Sequence, residues 1–247
     1  MFAPGTFRPQ PTPASAAAML AAQTKMEAKL FLRHGEQQLL SFVIPLAMLI
    51  AIATLPLLDS PQPLQDSFPV LLAIAAMSSG FTGQAISLAF DRRYGALKRT
   101  GASGVPSWVI VSGKVLGVAV VSLLQVVLLT VVALLFGWNG NFGLGVGVFV
   151  VGVVAFGAMG LLMGGTLSSE LVLGLANLIW FALVGVASYL IFVAPEVPRA
   201  LELIPSVALS QGLVHAFDGV FPAFEILILL GWTAAAAIAA IKWFKFA

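Results

Sequence analysis

Five of the chain's twelve lysines and arginines, Arg92, Arg93, Lys98, Arg99 and Lys114, fall within residues 91–114. Cations spaced this closely beside Gly95, Gly101, Gly104 and Gly113 have two kinds of chemistry open to them. They cradle the phosphates of a nucleotide, or they act electrostatically at the membrane face. Spacing excludes the first. The residue five before Gly113 is Trp108, and Val115 follows Lys114, so the GxxxxGK[ST] pattern fails at both ends. Catalytic sets are missing as well. No apolar run carries paired carboxylates, and there is neither an HExxH nor a GxSxG with the partners a nucleophile needs. His34 and His215 lie far apart and cysteine is absent, which excludes disulfides and thiolate metal sites and argues against a histidine cluster.

Polar groups inside the apolar runs are few: Gln84, Ser122, Gln125, Thr130, Asn177 and Glu225. Gln84, Gln125 and Asn177 are candidates for a substrate path, with interhelical hydrogen bonding as the other reading of Gln125. Glu225 follows Pro222 by three residues, near an interface where water reaches it, which favours a structural or interfacial role over a proton relay. Gly143/Gly147 and Gly160/Gly164 have the small-xxx-small spacing that lets helix backbones approach closely. They serve tight packing or a helix that shifts during a working cycle.

The elements that must position these residues are membrane helices. The chain is 60% hydrophobic and 9% charged, with a mean hydropathy of +1.05. Charge is too scarce to coat a water-facing surface, so the fold class is an all-α polytopic membrane protein. A net charge of +2 placed loop by loop gives no basic face for nucleic acid. Six runs are long enough to span: 39–58, 68–90, 108–136, 142–167, 171–193 and 223–241. Residues 1–13, with four prolines and no apolar core, are expected to be a disordered cytoplasmic lead and not a signal peptide. Residues 14–35 read as an amphipathic helix along the inner membrane surface, or as an ordinary solvated helix. Residues 194–222, cut by four prolines, are expected to form short helices dipping into the outer leaflet, or an external loop.

With the N-terminus inside, eleven of the twelve lysines and arginines are cytoplasmic and only Arg199 is outside. That asymmetry satisfies the positive-inside rule and places both termini in the cytoplasm of a multi-pass cell-membrane protein. The 91–114 loop is then cytoplasmic too.

The loop resembles the signature of ABC-2 type exporter permeases, in which the second span ends in a pattern like E-R-E-x-G-x-L-K-R-L-x-x-T-P-L-P. Phe90-Asp91-Arg92-Arg93-Tyr94-Gly95-Ala96-Leu97-Lys98-Arg99 matches its first part, and Ser103-Gly104-Val105-Pro106 takes the place of T-P-L-P. Gly113-Lys114 is similar to a Gly-Lys at the start of the family's third span, and Ile204-Pro205 to a proline-centred piece before its last. Departures are Arg93 for an acid, Thr100 for a leucine and Gly104 for a proline. The resemblance covers most of residues 14–247.

What the resemblance implies is a coupling helix made by Asp91, Arg92, Arg93, Tyr94, Gly95, Leu97, Lys98 and Arg99, docking on a separate ATPase subunit. ATP and magnesium would sit on that subunit, and this chain would hold no cofactor and catalyse nothing itself. It would pair with a second permease, of the same or a homologous chain, and export a hydrophobic or amphipathic drug-, lipid- or glycolipid-like substrate. The bare reading of the same cations is that they set topology and bind anionic lipid heads. Two other functions stand beside the exporter: a membrane-embedded lipid- or isoprenoid-modifying enzyme, which would need carboxylate or histidine clusters at one face, and a non-transporting assembly subunit, which needs no docking helix.

Overall fold

The computed structural model describes residues 14–33, 35, 39–56, 60–102, 104–193 and 198–243; the expected lead at 1–13 lies outside them. Among the described residues are ten α-helices and no strand. They are α1 (Ala16–Arg33), α2 (Ile44–Thr54), α3 (Pro63–Met77), α4 (Gln84–Arg93) and α5 (Ala96–Ala102), then α6 (Ser107–Leu135), α7 (Phe142–Thr166), α8 (Ser169–Val193), α9 (Pro205–Phe217) and α10 (Ala223–Trp243). A π-helical turn, Leu39–Val43, precedes α2, and another, Ser78–Gly83, joins α3 to α4.

Five stretches are long and apolar enough to cross a membrane: Pro63–Arg93, Trp108–Leu135, Phe142–Thr166, Ser169–Leu190 and Ala223–Trp243. The run expected first, at 39–58, gives the shorter apolar helix Ser41–Thr54. Its end has a local cause. Leu55 precedes Pro56, whose ring disfavours the helical region for the residue before it, and Leu55 is extended at φ −114° and ψ 146°. The remaining helix rises about 21 Å at 1.5 Å per residue, against a hydrocarbon core of roughly 30 Å.

The α3–π-turn–α4 stretch is the centre of the bundle, buried from Ser67 to Ala85. Helix α7 lies against it by backbone approach. A Cβ on Gly160 would stand 2.5 Å from the Phe81 carbonyl oxygen, and one on Gly80 would stand 3.0 Å from that of Val153. Only glycine permits helices this close.

Helix α1 packs along α6 and advances with it. A side chain on Gly113 would collide with Gln23, and a Cβ on Gly117 would lie 2.6 Å from that of Glu27. Four residues on one helix correspond to four on the other, so the two run parallel. The face of α1 turned to α6 carries Gln23, Glu27 and the buried Phe31, whereas Met26, Leu30 and Leu32 point outward. The outward side is mixed, since Lys25, Lys29 and Arg33 are exposed among these apolar residues.

At the opposite end from the 91–114 loop, α9 packs on α3, α7, α8 and α10. Pro205 opens it at the first turn, where its missing N–H costs nothing. Val207, Ala208, Leu209, Leu213 and Ala216 are buried, so the proline-cut segment contributes a core helix. The rings of Phe68, Trp138 and Phe217 meet there at centroid separations of 4.6, 4.9 and 5.7 Å. Phe217 enters because Gly145 leaves room for its ring.

Candidate functional site

The 91–114 loop folds as a stirrup between α4 and α6. Tyr94 and Gly95 close α4 with N–H bonds to the Phe90 and Arg92 carbonyls, at 2.9 and 3.1 Å. Gly95 takes φ +68°, a left-handed value that a side chain would resist. Helix α5 follows, Gly104 turns the chain again at φ +82°, and Pro106 leads into α6. The result is a seven-residue helix held out from the bundle, with no buried residue.

Beneath the stirrup the charges are joined pairwise. The Lys114 ammonium lies 2.9 Å from Glu27 Oε2 and 2.5 Å from Asp91 Oδ2, with only 5% of its side chain exposed. Gln23 Nε2 donates to the other Glu27 oxygen at 2.9 Å. A buried ammonium requires such partners, because a lone charge out of water is strongly disfavoured. One knot therefore ties α1, α4 and α6 together.

Arg92 and Arg93 are also spoken for. Arg92 Nη1 donates to the Gly164 and Leu167 carbonyls at 2.8 and 3.0 Å. Those oxygens lie at the C-terminal end of α7, where carbonyls lack helical partners and the helix dipole favours a cation. Arg93 Nη1 pairs with Glu170 Oε1 at 2.5 Å and reaches Ser169 Oγ at 3.2 Å, fixing the stirrup to the start of α8.

The eight residues expected to form one docking surface thus divide. Asp91 and Arg92 serve the fold, and Arg93 is half committed to it. Leu97 is half buried and turns inward to line an apolar cavity, so the expected apolar contact on the outside is not Leu97. Facing outward are Tyr94, 63% exposed, with Lys98 and Arg99. The Tyr94 ring stacks on Phe90 at 5.9 Å, and Arg99 Nη1 donates to the Tyr94 carbonyl at 2.8 Å, so the exposed aromatic is held in place.

The expected path residues are not joined by any hydrogen bond among the described residues. Gln84 is buried and its Oε1 has no partner there. Gln125 is fully buried and donates to the Ser41 carbonyl across helices. Asn177 is half exposed and donates to Leu173 of its own helix at 2.8 Å.

The glycine pairs also separate. Gly160 and Gly164 lie against the backbone of the π-turn and α4. Gly143 and Gly147 are exposed, and a Cβ on either would meet no other helix within 4 Å among the described residues; the close approaches near that end are made at Gly145 and Gly152, which are buried under Phe217 and Leu209. Two residues turn an α-helix by about 200°, so Gly145 faces inward where Gly143 and Gly147 face out. Sequence reasoning missed Gly113/Gly117, although their small-xxx-small spacing was readable. It also missed the bond between His215 Nδ1 and buried Glu225, at 2.7 Å, one turn and a loop away from each other in sequence.

A family model described as ABC-2 type transporter matches residues 20–217 of the chain. No curated protein matches it.

Proposed function

Since the chain belongs to the ABC-2 type transporter family, we propose that it is the membrane subunit of an ATP-driven exporter. Two such subunits work with two ATPase subunits, which hold ATP and magnesium. The cationic end faces the cytoplasm, a reading supported by the distribution of lysine and arginine. Its cargo is hydrophobic or amphipathic, with buried Gln84 the polar side chain kept for the path, while Gln125 bonds across helices and Asn177 within its own.

The observation that supports docking is the stirrup: a short exposed helix on two left-handed glycines, anchored below by Arg92 and Arg93. Such an element transmits a push because Arg92 and Arg93 fix its root to α7 and α8, while Tyr94, Lys98 and Arg99 are exposed on its outer face. Tyr94 supplies the apolar contact, with Lys98 and Arg99 at the rim. A lipid-modifying enzyme would need a cluster of acids or histidines at one face, and the two acids brought together there, Glu27 and Asp91, are both occupied by Lys114.

Co-purification is the direct test. A tagged chain expressed with its ATPase subunit is expected to retain it. Tyr94→Ala should weaken that association roughly thirtyfold, the effect of losing a contact worth about 2 kcal/mol, with membrane insertion unchanged. An assembled complex whose transport-stimulated hydrolysis ignores Tyr94→Ala would overturn the docking assignment.

A further inference from the structure

A cavity of about 720 Å³ opens at the cationic end between α6, α7 and α10, with α5 as its roof. That volume falls within the range of about 300–1,000 Å³ typical of small-molecule sites. Its lining is apolar apart from two lysines, Lys98 and Lys114. Lys114 is neutralised by Glu27 and Asp91. Lys98 is exposed at the rim and makes no ion pair among the described residues.

The space exists because small side chains face each other: Ala158 on α7 and Ala237 and Ala240 on α10. Two of its walls are also exterior surface, with Val111 45% and Ile241 83% exposed. The cavity therefore opens sideways, onto the faces of helices that a bilayer would cover. A hydrocarbon chain enters from that side without crossing water, and one cation waits at the end where headgroups lie.

We infer that this cavity holds an acyl chain of an anionic phospholipid, with the phosphate on Lys98. The lipid would lie against Leu97 and Gly101 and so prop the inner face of α5. The site shares Lys98 with the rim of the docking face but not Tyr94, so loss of lipid preference at Ile241 and loss of ATPase retention in Tyr94→Ala are read separately.

The chain has no cysteine, so a single Ile241→Cys reports on the rim without interference. The full-length protein, labelled there with bimane and reconstituted in nanodiscs, is titrated with phosphatidylglycerol or phosphatidylcholine of identical brominated chains. Phosphatidylglycerol is expected to quench at about fivefold lower mole fraction, the preference one lysine near an anionic surface confers. Lys98→Gln should abolish the preference while leaving quenching intact, which also shows that the variant is folded. A bimane at Leu178→Cys, on the exposed face of α8, should show no headgroup preference. Equal quenching by both lipids at Ile241, an unaltered preference in Lys98→Gln, or the same preference at Leu178 would each overturn the proposal. Absence of quenching by either lipid would overturn it too.

Discussion

Lys114 is the residue on which most depends, because it is a buried cation between two carboxylates that would otherwise repel each other. Lys114→Met should lower stability by about 3 kcal/mol, at the lower end of the cost of breaking a buried pair, read as a fall in the thermal midpoint of the detergent-solubilised protein. Adding Glu27→Gln removes half of the stranded charge and should recover part of the loss. If the double variant is no better than the single, the carboxylates are not what Lys114 serves. Glu225 offers a parallel case, since it is buried and bonded to His215. His215→Ala strands that carboxyl and should cost about 1–3 kcal/mol, whereas Glu225→Gln keeps a hydrogen-bonding group there and should cost less; equal losses would argue that the contact is incidental.

At the scale of elements, the seams between helices are set by the glycines that face the partner helix. Gly160→Ala would push a Cβ against the Phe81 carbonyl at 2.5 Å and should destabilise by about 1–3 kcal/mol, as overpacking does. Gly147→Ala meets open space and should be neutral or stabilising by up to about 1 kcal/mol through helix propensity. The comparison is internal, and equal effects of the two would contradict the assigned faces of α7. These faces also show what a sequence makes legible. Helix ends at Leu135, Phe142, Thr166 and Ala223 lie within one residue of where hydropathy and Gly or Pro breaks put them. The faces did not follow, because α7 is apolar all round and so has no periodicity to read. The partners of Arg92 and Lys114 were equally hidden: they lie 23 to 87 residues away in sequence, and only the tertiary arrangement brings them near. Of the five cations in the loop, Arg92, Arg93 and Lys114 anchor it.

For the whole molecule, the two ends differ in chemistry: one carries the stirrup and its ion pairs, the other the aromatic cluster around Phe217. Tyr94→Cys and Asn139→Cys, both at exposed positions, should react with a membrane-impermeant maleimide from opposite sides, Tyr94 from the cytoplasm. Labelling of both from the same side would invert the proposed topology. The π-helical turn Ser78–Gly83 sits between these ends, in the middle of the central stretch. It fits an extra residue into the helix, so everything beyond it is out of phase with α3 by roughly 100°, the angle one residue adds to an α-helix. The turn therefore works as an angular offset. Removing a single residue from it would leave both halves helical yet rotate Arg92 off the end of α7, disconnecting the stirrup from the bundle without altering any residue in either.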